Sequence, residues 1–347
     1  MHLNFTSDNA SGIAPRILRA LAEANAGPAM AYGADAWTQA CERSFAQVFE
    51  HEVACFPLAT GTAANALALA ALVPPYGAIL CHRDAHIAVD ECGAPEFHTG
   101  GAKLLLLDGA HARLSAAGLD AALAGAAFGV EHHVQPAAVS LTQASEAGTV
   151  YRPAEIAELA AIAHRYRCQV HMDGARFANA VASLGASPAD VTWRAGVDVL
   201  SFGATKNGAL AAEAVLFFRP ELAAQFRYRR KRAGHLLSKQ RFLSAQLTAY
   251  LADGAWLADA RHANAQARQL AEGLASLPGV TLAHPTEANE VFAELPETAI
   301  GELQRQGVGL HRWQGRVVRL VTAFDTDPAA VDRVLTIAAG ASARAAV

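Results

Sequence analysis

Short apolar runs alternate with amphipathic stretches through the first two-thirds of the chain. Pro15 to Ala26 carries helical periodicity, with proline in the first turn where its missing N–H costs nothing. Trp37 to Phe49 repeats that period. Val53 to Leu58 reads as a strand, and Thr60-Gly61-Thr62 opens an Ala-rich helix that runs to Leu72. Further strands are predicted at Ala78 to Cys81, Lys103 to Leu107, Ala137 to Leu141, Gln169 to Met172 and Val197 to Phe202, with a helix over Pro153 to Arg167. Such alternation predicts an α/β fold, a mainly parallel sheet covered on both faces by helices. The texture changes after Ser238. A long helical stretch from Phe242 to Leu274, broken near Asp253-Gly254, leads into strands at Val280 to Ala283, Val291 to Leu295 and Val317 to Thr322. Helices are predicted over Thr298 to Gln306 and from Pro328 onward. The expected division is a large domain over 1–248, whose N-terminal segment contributes to the site, and a small α+β domain over 249–347.

Composition narrows the classes. The 347 residues are 52% hydrophobic and 17% charged, enough for a large core and against disorder. A formal net charge of −4 gives no overall attraction to nucleic acid or anionic membrane. The run Arg227-Tyr228-Arg229-Arg230-Lys231-Arg232 could serve nucleic acid. The expectation is instead a solvated helix face, or a phosphate site shared between subunits. The N-terminus has no basic start followed by an apolar run, and no apolar stretch reaches about 18 residues, so neither a leader nor a membrane span is expected. Five scattered cysteines without C-x-x-C spacing read as reduced thiols of a cytoplasmic protein, and no histidine spacing suggests a metal site.

Two residues carry the candidate chemistry. Asp173 ends the strand in Val170-His171-Met172-Asp173-Gly174, and Lys206 follows the next strand in Gly203-Ala204-Thr205-Lys206-Asn207-Gly208. Both fall at the carboxyl edge of a parallel sheet, where ligands bind. A lysine amine that can form a Schiff base and a carboxylate that can pair with a protonated pyridine nitrogen are the parts a pyridoxal phosphate site needs. Thr60, Gly61 and Thr62 sit at a helix N-terminus, which favours a phosphate group. The simpler reading of that turn is an ordinary helix cap. His86, after the Ala78 to Cys81 strand, is placed to stack on a ring or to be a loop histidine.

Taken together, the segments Thr6-Ser7-Asp8-Asn9, Ala31-Tyr32-Gly33, Thr60 to Asn65, His86, Glu91-Cys92-Gly93-Ala94, Thr142-Gln143-Ala144, His171 to Phe177, Thr205 to Gly208 and Arg319 to Thr322 resemble the low-specificity L-threonine aldolases of the fold-type-I, aspartate-aminotransferase-like superfamily. The resemblance covers almost the whole chain. It implies a mostly parallel seven-stranded sheet, pyridoxal 5'-phosphate on Lys206, Asp173 at the pyridine nitrogen and His86 stacked on the ring. Ser7, Arg176 and Arg319 would grip the substrate carboxylate, and Glu91 and His132 occupy positions used around the catalytic base. Tyr32 would border the site of a neighbouring subunit in a homotetramer. The expected reaction is cleavage of a β-hydroxy-α-amino acid to glycine and an aldehyde. This chain departs from the family pattern with Thr205 before the lysine, Thr60 where serine is common, Leu141-Thr142-Gln143 in place of a Glu-Asn-Thr stretch, and Gly234 to Lys239 in place of a glycine-rich segment. These departures leave open whether Lys239 or Arg241 reaches the phosphate. The competing readings are β-elimination, racemisation or transamination on the same fold, a nicotinamide dehydrogenase, which the missing G-x-G-x-x-G disfavours, and a nucleic-acid binder.

Overall fold

The computed structural model describes residues 3–345, the last three without side chains. Seven strands form the large sheet: β1 (Ala54–Leu58), β2 (Gly77–His82), β3 (Lys103–Leu107), β4 (Gln135–Thr142), β5 (Gln169–Gly174), β6 (Val199–Gly203) and β7 (Glu213–Phe217). Their order is β1-β7-β6-β5-β4-β2-β3, and β7 alone runs against its neighbours. The central strands are buried on both faces, as expected where helices cover a parallel sheet. The sequence pattern anticipates six of the seven. It misses β7, which lies in the stretch from Ala209 to Phe218, apolar apart from Glu213, where no alternation marks a strand.

The helix Gly61–Leu72 is buried along Ala63 to Ala70, apolar on every side because it lies between the sheet and the outer helices Ala94–Thr99 and Phe226–Arg232. Burying Leu67 and Leu69 contributes about 1.5–3 kcal/mol each. On the other face, Phe45, Phe49, Phe177, Phe202, Tyr250 and Trp256 interlock, with Phe45 edge-on to Phe202 at 5.1 Å.

The small unit is an antiparallel sheet of β8 (Thr281–Leu282), β9 (Glu290–Glu294), β10 (His311–Gln314) and β11 (Val317–Val321), in the order β10-β11-β9-β8. The hairpin strand β10 is absent from the sequence expectation. Residue 248 falls inside the helix Arg241–Leu251, and the chain bends at Ala252–Gly254, where Asp253 and Gly254 take positive φ. The following helix, Ala255–Ala275, gives Trp256 and Ala260 to the large core and Ala267 to Leu274 to the small one. The N-terminal segment packs with the small unit: Phe5 is in its core, and Val321 N–H donates to the Phe5 carbonyl at 2.8 Å. That path carries Ser7 and Asp8 back to the carboxyl edge of the large sheet.

Candidate active site

Strand register brings the chemistry to one edge. Thr142, Asp173 and Ser201 are neighbours across β4, β5 and β6. Beneath Asp173, His171 bonds Ser140 and Ser201 at 2.9 Å each, and burial pushes its imidazole down to about 4, so it is a neutral core residue. Asp173 is buried and receives the Ala175 N–H at 2.9 Å and Asn65 Nδ2 at 2.7 Å. The other hydrogen of that amide goes to Glu91 Oε1 at 2.8 Å, which also meets His86 Nδ1 at 2.9 Å. A chain of bonds therefore links His86 through Glu91 and Asn65 to Asp173. The bond from Glu91 raises the His86 pKa, and burial raises that of Glu91. The Glu91 side chain has no exposed surface, so it orients His86 from behind.

Lys206 stands on the short turn Thr205–Asn207 after β6. Gly208 ends that turn at φ +102, a conformation that requires glycine. The Thr205 hydroxyl accepts the Ala212 N–H at 3.1 Å and bonds the Glu213 carboxyl, which burial pushes up to about 7. Lys206 lines one cavity with Gly61, Thr62, His86, Asp173 and Arg176, and a second with Ser7, Glu290, Trp313 and Arg319. Asp8 holds Nε and Nη2 of Arg176 at 2.8 and 3.0 Å, leaving the Nη1 edge toward Glu290 at 3.4 Å. Arg319 lies over Trp313, 5.6 Å from its ring centre, and its Nη2 donates to the Thr6 carbonyl at 3.4 Å.

The donor set fits pyridoxal phosphate. Among the described residues no cation lies within 4.0 Å of the buried Asp173 carboxylate, which leaves it free for a protonated ring nitrogen. At the start of the helix Gly61–Leu72 the Thr60 hydroxyl caps Ala63 N–H at 3.3 Å, while the N–H groups of Gly61 and Thr62 have no acceptor among the described residues. The Lys206 amine has no hydrogen bond or ion pair among the described residues.

Not every expected residue is here. His132 is corrected: it is exposed on the turn before β4, and β4 runs from there for eight residues, about 26 Å, to reach the site edge. It lies at the opposite edge of the sheet from Lys206 and takes no part in this chain's own site. Tyr32, Lys239 and Arg241 do not line the Lys206 cavities. Tyr32 is exposed, bonds the Ser238 carbonyl through its N–H and carries Lys231 over its ring at 4.8 Å. The basic run forms the helix Phe226–Arg232, with Phe226 buried and Arg227, Lys231 and Arg232 exposed. Asn65, Asp8, Glu146, Glu290 and Trp313 were missed as site residues. The one legible signal among them is Glu146, an acid four residues past the apolar strand β4.

Fold and site define a class: a two-domain α/β enzyme of fold type I whose site places a lysine and a buried aspartate where they fit pyridoxal phosphate. The comparisons agree. Residues 4–298 match the family model described as beta-eliminating lyase. The low specificity L-threonine aldolase of Pseudomonas aeruginosa is 48% identical over 96% of this chain and 95% of its own length. The protein of the same name from a Pseudomonas species is 44% identical over 94% of each. The Leishmania major threonine aldolase structure superposes with a TM-score of 0.91 at 26% identity, covering 96% of this chain and 98% of that one. The chain belongs to the low-specificity L-threonine aldolase family, within the wider beta-eliminating lyases. Pyridoxal phosphate is the cofactor of that family.

Proposed function

We propose that this enzyme cleaves L-threonine, L-allo-threonine and related β-hydroxy-α-amino acids to glycine and an aldehyde, acetaldehyde from threonine. The observation that carries the reading is the likeness at 48% identity to an aldolase along nearly its whole length, supported by cavities that bring Lys206, Asp173, His86, Arg176 and Arg319 together. When bound, pyridoxal phosphate draws electrons from Cα and lets a bond there break heterolytically. Lys206 anchors the cofactor and moves a proton at Cα. Asp173 keeps the ring nitrogen protonated, Gly61 and Thr62 receive the phosphate, and His86 covers the ring. Arg319, Ser7 and the Nη1 edge of Arg176, which faces Glu290 at 3.4 Å, would hold the substrate carboxylate by charge-assisted bonds. That grip fixes which Cα bond stands in the breaking position, here Cα–Cβ.

Among the described residues no helix is long and apolar enough to cross a membrane, and no group of three or more His, Cys, Asp or Glu could hold a metal. The proposal includes a cytoplasmic homotetramer in which a second copy brings Tyr32 to the site and Lys239 or Arg241 to the phosphate. Incubation with threonine, serine, phenylserine and alanine tests the reaction. Aldehyde plus glycine is expected; pyruvate plus ammonia from serine, without aldehyde, would make the protein a β-eliminating lyase instead.

A further inference from the structure

Glu146 belongs to none of the roles above, yet its position is singular. It lies in the loop after β4, where Gln143 and Tyr151 exchange bonds of 2.8 and 2.9 Å and Ser145 bonds Thr149 at 2.7 Å. Its Oε1 receives the His86 N–H at 2.7 Å and the Thr142 hydroxyl at 3.0 Å. Its Oε2 is buried and has no hydrogen-bond partner among the described residues. One oxygen is fixed and the other is uncommitted.

Three cavities meet at this residue. The first holds Lys206 and Asp173, the cofactor side. The second holds Ser7 and Arg319, the carboxylate side. The third is walled by Ala112, His284, Phe292 and Trp313, mostly apolar. Glu146 is the one residue common to all three. A bound amino acid has the same topology: amine, carboxylate and side chain diverge from Cα. With amine and carboxylate assigned to the first two cavities, the side chain takes the third, and Cβ with its hydroxyl lies at the junction.

We infer that Glu146 is a catalytic residue, the base that takes the β-hydroxyl proton as the Cα–Cβ bond breaks. This rests on the retro-aldol reading. The O–H electrons become the second bond of the aldehyde carbonyl, the Cα–Cβ pair stays with Cα, and the proton passes to the Glu146 carboxylate. One proton returns to Cα to complete glycine, and Glu146 releases its own to water. Of the groups the sequence offered for this role, His86 gives Nδ1 to Glu91 and is placed to cover the cofactor ring, Glu91 has no exposed surface behind it, and His132 is exposed before β4. Burial, and then the charge of Asp173, push the Glu146 carboxyl up to about 7, so it loads and unloads a proton near neutral pH. The ionisable groups around it are Cys81, Asp84, His86 and Asp90 from the β2 side, Tyr151 from its own loop, Asp173 at the end of β5 and Arg176 after it, Lys206 after β6, and His284, Glu290 and Arg319 from the small unit.

The test compares two reactions of the holoenzyme. Threonine cleavage needs the hydroxyl proton removed; exchange of the glycine α-proton in D2O, followed by NMR, does not. E146Q should lower kcat/KM for threonine at least about 100-fold, while glycine exchange and cofactor absorbance stay within about threefold of wild type. The rise of wild-type kcat/KM through about pH 7 should disappear in E146Q. E146D, which keeps the acid on a shorter arm, should retain that rise at reduced rate, and it serves as the second variant if E146Q folds poorly. Threonine cleavage within threefold of wild type in E146Q, or loss of glycine exchange in parallel with cleavage, would overturn the assignment. Wild-type protein that forms no aldehyde would bring down the retro-aldol reading, and this inference with it.

Discussion

Asp8→Asn isolates one charge. The substitution keeps the side chain's shape and removes the carboxylate that holds Arg176 at 2.8 and 3.0 Å and accepts Asn289 Nδ2 at 3.0 Å. Both partners of the ion pair are largely shielded, with side-chain exposures of 1% and 12%. Breaking a buried pair by removing one partner costs about 3–5 kcal/mol, and the lower end, about 3 kcal/mol, applies here because Glu290 still pairs with the other edge of Arg176 at 3.4 Å. Unfolding entropy of about 2.1 cal/mol/K per residue amounts to roughly 0.7 kcal/mol/K for a chain of this length, so Tm should fall by about 4 °C. Burial alone would raise the Asp8 pKa, but Arg176 and Lys206 overcome it and the folded value is lowered. A depressed folded pKa gives stability that is present above the unfolded value of about 3.9 and lost as pH falls through the folded value. The Tm difference between wild type and variant should therefore be full at pH 7 and shrink below about pH 4. Thermal melts of the apoenzyme across pH measure it directly. Michaelis kinetics of the holoenzyme should show a raised KM for threonine, since the Asp8 carboxylate no longer holds Nε and Nη2 of Arg176 in place. A Tm change under about 1 °C at pH 7, or one that persists undiminished in acid, would refute the argument.

Two further substitutions probe the site's supports. Glu91→Gln should lower the midpoint at which His86 titrates by NMR, because the bond and charge of Glu91 hold that imidazole above its ordinary value. In wild type the stabilisation that His86 draws from this pair is present below the unfolded histidine pKa and lost as pH rises through the higher folded value, so any stability advantage of wild type over E91Q should narrow as pH rises. Gly208→Ala forces a side chain onto φ +102 and puts its Cβ 3.1 Å from that of Ala14, so urea unfolding should show a loss of about 1–3 kcal/mol. Cofactor uptake should fall with it, because Gly208 terminates the turn that carries Lys206.

The legible parts of the site share one property: each lies just after an apolar strand, so a local pattern fixes its place at the sheet edge. Asp173 and Lys206 are of this kind, and so is His86. Asn65 is different. It sits within a fully apolar helix and acquires its role only when Glu91, 26 residues on, and Asp173, 108 residues on, fold against it. Glu290 and Trp313 come from the small sheet, and no local period links them to the large one. His132 fails for a topological reason. A residue before a parallel strand and one after it stand at opposite edges, and resemblance in sequence position does not encode that. The strand β7 was hidden because its face pattern is uniform, and β10 because its residues other than Trp313 are polar and exposed.

The most direct test of the central claim is chemical. The chain contains four lysines, Lys103, Lys206, Lys231 and Lys239. Protein purified with pyridoxal phosphate should be yellow. Borohydride reduction should bleach it, and peptide mapping should find the pyridoxyl group on Lys206. The same treatment of Lys206→Ala should leave no stoichiometric label and no turnover of threonine. Label on Lys103, Lys231 or Lys239, or substantial aldolase activity in Lys206→Ala, would contradict the account.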